Sequence, residues 1–104
     1  MERKQERCCS EKATEAVYLE AFKFYGVEAQ AMVACEECGE LIQAISKINR
    51  KYNKENRMQL AEEIADVRIV CSQLMLRYGI SDEEIRNIEK GKVRRLSDRL
   101  WRSR

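Results

Sequence analysis

Two five-residue stretches decide the fold of this 104-residue chain: Glu36-Glu37-Cys38-Gly39-Glu40 and Glu62-Glu63-Ile64-Ala65-Asp66. Each contains two glutamates, an uncharged residue, a small residue and a final acid. Each also lies within an apolar pattern that recurs every three to four residues, which is typical of an amphipathic α-helix. We therefore expect two helices, each of which projects carboxylates from one face.

The carboxylates are unusual because they point towards the expected core. At about 100° per residue, Glu37 and Glu63 fall in the middle of the apolar stripes of their helices, and Glu40 and Asp66 fall on the edges. The stripes consist of Val33, Leu41, Ala44 and Ile48 on the first helix and Leu60, Val67, Val70 and Leu74 on the second. Carboxylates directed at a core repel one another and are costly to desolvate unless a cation lies between them.

All-oxygen ligands favour a hard divalent cation, so the pattern predicts an Mg²⁺ site, with Mn²⁺ as a substitute. Mg²⁺ is commonly held by a few carboxylates together with substrate phosphates, which favours a polyphosphate substrate. The alternative is that each Glu-Glu pair belongs to a solvated helix face. That interpretation suits Glu36 and Glu62, which lie further round their helices, but it does not explain Glu37 and Glu63.

The composition indicates one small helical domain over residues 1–104. The chain is 44% hydrophobic and 37% charged, and it contains no proline. The net charge of +2 does not require a nucleic-acid partner. We expect no signal peptide and no membrane-spanning segment. Five cysteines, an odd number, are typical of reduced thiols and predict a cytoplasmic location.

The order of polar and apolar segments predicts an all-α, four-helix bundle-like fold. We expect frayed residues 1–9, a first helix from a cap at Ser10 to about 25, and further helices over about 28–50, 57–78 and 82–100. Ser81 and Glu84 form a capping-box pattern before the last helix. The short loop 51–56 makes the two acid-bearing helices antiparallel neighbours.

The second and third helices carry apolar residues on more than one side. Examples are Cys35 and Ile42 on the second helix, and Ile69 and Leu76 on the third. A chain this short buries little by itself. The surplus therefore predicts that a second subunit completes the bundle.

Missing residue types limit other chemistries. The chain has no histidine, which removes Glu-x-x-His di-iron sites, His-based triads and most zinc hydrolase sites. Cys35 and Cys38 have a Cys-x-x-Cys spacing, but no second pair matches it. Structural thiols are the favoured interpretation, ahead of zinc binding.

With both acid clusters placed, the chain resembles the MazG-like nucleoside triphosphate pyrophosphohydrolases of the all-α NTP pyrophosphatase superfamily. The superfamily signature is Glu-Glu-x-x-Glu on one helix and Glu-x-x-Asp on the next. The matching residues are Glu36-Glu37-Cys38-Gly39-Glu40 and Glu63-Ile64-Ala65-Asp66. The flanks are also similar, and the resemblance covers residues 24–100.

The resemblance implies Mg²⁺-dependent hydrolysis of a nucleoside triphosphate between the α- and β-phosphates, which yields monophosphate and pyrophosphate. It implies that the metal ligands are Glu37, Glu40, Glu63 and Asp66. Glu36 or Glu62 would orient or deprotonate the attacking water, and we favour Glu36. The expected phosphate contacts are Lys92 and Arg95, which resemble a basic motif of the family, and Lys47, which shares a side with Glu40. Family members are homodimers or homotetramers.

Two hypotheses from other classes remain. The first is a catalytically idle helical module that uses the same fold for protein interaction, although all four ligand positions are intact. The second is a nucleic-acid binder that uses the arginine-rich C-terminal end, which we rank low because no recognition motif accompanies it. The enzyme hypothesis, in a house-cleaning or nucleotide-pool role, ranks first.

Overall fold

The computed structural model describes the backbone from Glu2 to Arg102 and the side chains of residues 11–102. Within that range the chain forms four α-helices and no strand: α1 (Glu2–Tyr25), α2 (Val27–Arg50), α3 (Lys54–Tyr78) and α4 (Asp82–Arg102). The predicted all-α fold is confirmed. Helix α1 begins before the cap predicted at Ser10. The side chains of residues 1–9, for which we predicted a frayed end, lie outside the described part.

Helices α1 and α2 are separated by a single residue, Gly26. Its φ of 89° lies in the left-handed region, which glycine adopts without a steric penalty. The Gly26 N–H donates to the Phe22 carbonyl at 3.0 Å, which closes the last turn of α1. The chain can therefore turn sharply at this residue, and α1 packs against α2.

The connection between α2 and α3 is shorter than predicted. It comprises residues 51–53 only, because the Asn53 side chain caps α3: its Oδ1 accepts a hydrogen bond from the Asn56 N–H at 2.7 Å. The Asn56 side-chain amide donates in turn to the Lys51 carbonyl at 2.9 Å. The polar residues 54–56, which we predicted to be loop, thus form the first turn of α3.

The connection between α3 and α4 follows the predicted signals. Gly79 has a φ of 66°, and the Ile80 N–H donates to the Met75 carbonyl at 2.9 Å, as in a Schellman motif. Ser81 Oγ then accepts a hydrogen bond from the Glu84 N–H at 3.1 Å. The predicted cap at Ser81 is therefore confirmed.

The chain divides into two compact units, Met1–Leu74 and Met75–Arg104. The first unit holds the two acid-bearing helices, which run antiparallel and pack closely. The buried side chains among residues 11–102 are Ala34, Ala44 and Val70. Two of these buried positions, Ala34 and Ala44, lie on α2, and Ala44 is only 1% exposed. In the second unit, α4 has no buried side chain among the described residues.

Many large apolar side chains of the first unit remain exposed. On α2, Ile42 is 68% exposed and Ile45 is 51% exposed, and Cys35 is also exposed. On α3, Ile69 is exposed, whereas Leu76, which belongs to the second unit, is half-buried. Helix α2 therefore has an apolar face besides the one that packs inside the chain.

Candidate metal centre

The two central glutamates lie on the faces by which α2 and α3 meet. Glu37 is half-buried and shares its side of α2 with the buried Ala34 and Ala44. Glu63 is half-buried and shares its side of α3 with the buried Val70. Most glutamates on helices are solvated, so a half-buried pair on facing helices indicates a specific local role.

The facing helices bring four carboxylates into one cluster, which consists of Glu37, Glu40, Glu63 and Asp66. One oxygen atom from each of the four residues lies within 4.8 Å of the others. Three members, Glu37, Glu63 and Asp66, are half-buried, whereas Glu40 is exposed. The i, i+3 spacing on each helix, together with the antiparallel packing, assembles this acid cluster.

Burial and neighbouring negative charge disfavour ionisation of the two central acids. The pKa of Glu37 is raised above its ordinary value of 4.5, first by desolvation and then by the charges of Glu40, Asp66 and Glu63. The pKa of Glu63 is also raised, first by desolvation and then by the charge of Glu40 and a hydrogen bond with that residue. Every neighbour that shifts these groups is itself an acid.

Two oxygen atoms of the cluster lack partners. Glu37 Oε2 and Glu63 Oε2 are buried and accept no hydrogen bond in the described part of the chain. A buried acceptor without a partner costs free energy, and more so when it is charged. Four carboxylates that include two unpartnered buried oxygens match the donor set of a hard divalent cation.

Every group that shifts the pKa of Glu37 or Glu63 is an acid, and no cation contributes. On α1, Lys23 forms a surface salt bridge with Glu20 at 3.8 Å. Lys47, which we predicted to contact the phosphates of the substrate, is exposed, and that role stays a prediction.

The remaining predicted site residues are exposed acids and bases. Glu36 and Glu62 are exposed, although the charge of Glu62 helps to raise the pKa of Glu63. Lys92 and Arg95 are exposed on α4, in the second unit. Their predicted roles as water-activating and phosphate-binding residues remain predictions.

Two further features are separate from the acid cluster. Cys35, Cys38 and Cys71 are free thiols, and none of them belongs to a potential metal-binding group of the described residues. A shallow apolar groove also runs along α4, lined by Val93, Leu96, Ser97, Leu100 and Trp101. The spacing of these residues in steps of three and four places them on one side of α4.

Comparisons of the chain with protein-family models, curated proteins and solved structures gave no match. No helix in the described range is long and apolar enough to cross a membrane. The arrangement of the acid cluster is therefore the observation on which a functional proposal must rest.

Proposed function

We propose that this chain is an Mg²⁺-dependent nucleoside triphosphate pyrophosphohydrolase, which cleaves (d)NTPs between the α- and β-phosphates to a monophosphate and pyrophosphate. The single observation that carries the proposal is the acid cluster, with four carboxylate oxygens within 4.8 Å of one another and two of its oxygens buried without a partner. The resemblance to the MazG-like enzymes in both acid motifs supplies the reaction.

In this proposal Glu37, Glu40, Glu63 and Asp66 hold the metal. Bound Mg²⁺ would neutralise charge on the phosphate oxygens and lower the pKa of a nearby water. The half-buried positions of Glu37 and Glu63 exclude bulk water from one side of the site, which strengthens their attraction for a cation. Opposed carboxylates from two packed helices hold the ligand oxygens in place before the cation binds.

Exposed acids beside the cluster complete the proposed chemistry. Glu36 and Glu62 each adjoin a half-buried glutamate in the sequence and are open to solvent, so either can meet a water molecule. We assign Glu36 as the residue that orients or deprotonates the attacking water. Lys47, Lys92 and Arg95 are the proposed phosphate contacts, on the basis of their charge and of the resemblance.

We further propose that the enzyme acts in the cytoplasm as a homodimer or homotetramer, in house-cleaning or nucleotide-pool control. The free thiols of Cys35, Cys38 and Cys71 agree with a reducing compartment. The few buried side chains and many exposed apolar ones agree with burial against further subunits.

The competing proposal is a catalytically idle helical module that binds another protein. The exposed apolar side chains of α2 favour it as much as they favour self-association. The intact acid cluster does not favour this competing proposal. Selection for an interaction surface alone gives no reason to retain four carboxylates that raise one another's energy.

Product analysis of the purified protein tests the proposal. The protein is incubated with Mg²⁺ and a panel of canonical and modified (d)NTPs, and pyrophosphate, orthophosphate and nucleotide products are quantified. We expect pyrophosphate and monophosphate from wild type, and at least about 100-fold less from Glu37→Gln and Asp66→Asn, because loss of even an outer-shell partner of a metal costs 10–100-fold.

The matched control is Glu55→Gln, which removes the same charge from an exposed position in the first turn of α3. It should retain wild-type turnover. Orthophosphate together with a diphosphate would mean that the wrong bond has been assigned. Absence of turnover for every nucleotide, with no Mg²⁺ binding, would support the interaction module instead.

A further inference from the structure

The second half of α4 carries an apolar stripe that is open to solvent. Val93, Leu96 and Leu100 follow one another in steps of three and four residues, and Trp101 lies at the edge of the same side. These four residues line the apolar groove on α4, and they are between 53% and 67% exposed. Apolar area in water is unfavourable, so a continuous stripe of it indicates a contact surface.

Basic side chains border this stripe on both sides. At about 100° per residue, Arg94 lies beyond one edge of the stripe and Lys92 beyond the other. The opposite side of the helix carries three further arginines, Arg95, Arg99 and Arg102. Residues 92–102, which we call the amphipathic segment, therefore hold five exposed basic residues and a single acid, Asp98, which lies on the side away from the stripe.

From this surface we infer that the amphipathic segment lies on an anionic lipid bilayer, with the apolar stripe at the acyl boundary and the basic side chains among the headgroups. A helix of low overall hydrophobicity, with basic residues beside an apolar side, is typical of helices that lie in the plane of a membrane interface. The inference goes beyond nucleotide hydrolysis, and it does not depend on the acid cluster's being a metal site. It concerns binding to the surface of a bilayer, not insertion across it.

The aliphatic stripe favours a bilayer over a nucleic acid. A nucleic acid would pair with the arginines, but its bases stack on aromatic rings and guanidinium planes, and Val93, Leu96 and Leu100 offer neither. A bilayer accounts for both features, because acyl chains cover aliphatic side chains and anionic headgroups attract lysine and arginine. Trp101, at the edge of the stripe, has the amphipathic ring that is enriched at the level of the headgroups.

The distribution of charge along α4 favours a flat anionic surface over an acidic groove in a protein. Headgroups surround a helix that lies on a bilayer, so they pair with basic residues at both borders, as Arg94 and Lys92 require. The acids of α4 are concentrated in its first half, at Asp82, Glu83, Glu84 and Glu89. Glu89 falls in line with the stripe, one turn before Val93, and ends it there. The part that meets the bilayer is therefore about 16 Å long.

Intrinsic fluorescence of the full chain gives the first test, because Trp101 is the one tryptophan in the sequence. The protein is titrated with vesicles of phosphatidylserine and phosphatidylcholine in equal parts, and with vesicles of phosphatidylcholine alone. We expect a saturable blue shift of the emission with the anionic vesicles only, reversed by high salt. An equal shift with both kinds of vesicle would overturn the anionic assignment. Emission that does not move with either would overturn the inference.

Substitutions test the stripe and its border separately, with vesicle co-sedimentation as the measurement. Leu96→Glu should abolish binding, because it places a charge at the acyl boundary. Arg94→Gln should weaken binding about 5-fold, the contribution of one basic residue near an anionic surface. The matched control is Arg57→Gln, which removes the same charge from an exposed position on α3 and should bind like wild type. Unchanged binding in Leu96→Glu would overturn the inference.

Lipids brominated on the acyl chains test how the segment is seated. Bromine quenches an indole that it contacts, so vesicles brominated near the headgroup should quench Trp101 more strongly than vesicles brominated near the chain end. Binding without any quenching would show adsorption by charge alone and would overturn the seated stripe. A labelled single-stranded oligonucleotide that displaces the protein from vesicles at physiological salt would assign the surface to nucleic acid instead. Far-UV circular dichroism of each variant checks that the helices are retained.

Discussion

The two faces of α2 reverse the usual amphipathic arrangement. The face that packs inside the chain carries the half-buried carboxylate of Glu37, whereas another face exposes Ile42 and Ile45 to solvent. Each face is unfavourable in an isolated, metal-free chain. The inner face holds half-buried carboxylates with no cation beside them, and the outer face leaves apolar side chains in contact with water. The comparison supports the two proposals made for this helix, a cation bound at the inner face and a second subunit packed on the outer one.

The largest effect is expected from a substitution in the acid cluster, to which the inner face of α2 contributes. Glu63→Gln removes a carboxylate from the acid cluster but preserves its shape. We expect nucleotide turnover to fall by about 100-fold or more, while the sedimentation mass stays unchanged. Glu55→Gln on the same helix is the matched control. Wild-type turnover in Glu63→Gln would contradict a role for the cluster.

The next largest effect is expected from a substitution on the outer face of α2. Ile45→Ala removes apolar surface that we expect to be covered in the dimer. Truncations of buried isoleucine cost about 2 kcal/mol or more, so the dimer dissociation constant should rise at least about 30-fold. Turnover per folded chain should be retained, because Ile45 lies away from the acid cluster. The measurement is dilution followed by sedimentation velocity, with Gln43→Ala as the control.

A smaller effect concerns the pH dependence of stability in a metal chelator. The pKa values of Glu37 and Glu63 are raised by folding, so the folded chain binds protons more tightly than the unfolded chain. Their contribution to stability is fully present below the ordinary value of 4.5 and is lost as the pH rises through the folded-state pKa. The melting temperature should therefore decline over that window.

The variant Glu37→Gln sharpens this expectation. Its decline should be shallower than that of wild type, and in chelator at neutral pH it should melt at a higher temperature, since an amide carries no charge to desolvate. Thermal unfolding followed by circular dichroism provides both values. A wild-type melting temperature that rises across the window would contradict the assigned direction of the pKa shifts.

The smallest effect tests whether the two faces are independent. Gly39 lies in the interior of α2, and a Cβ added there meets no atom within 4 Å. Gly39→Ala should raise the free energy of unfolding by about 0.5–1 kcal/mol through helix propensity. Urea unfolding measures the change. Altered turnover or mass would show that the backbone at this position matters to one of the faces.

Sequence periodicity predicted the helices well where local signals were strong. Gly26, Gly79 and Ser81 mark three helix ends correctly, because left-handed glycine and a hydroxyl cap act within a few residues. The start of α3 was wrong by three residues. Asn53 and Asn56 suit either a turn or a helix cap, and the hydrogen bond between them decides for the cap.

The acid cluster was predictable because burial follows from helical phase. The phase placed Glu37 and Glu63 in the apolar stripes, and the short connection placed the stripes opposite each other. The burial of individual oxygens, such as Glu37 Oε2, was not predictable, because it depends on side-chain conformation and on how closely the helices pack. Lys47 illustrates the limit: a shared helix side does not determine where a long, exposed side chain reaches.

The most direct test of the account is a Mn²⁺ titration followed by electron paramagnetic resonance, which reports free Mn²⁺ and needs no turnover. We predict saturable loss of the free-ion signal with wild type, reversal by excess Mg²⁺, and an affinity lower by about 100-fold or more in Glu37→Gln, with Glu55→Gln like wild type. Equal binding by wild type and Glu37→Gln, or binding by neither, would contradict the claim that the acid cluster is a divalent-metal site.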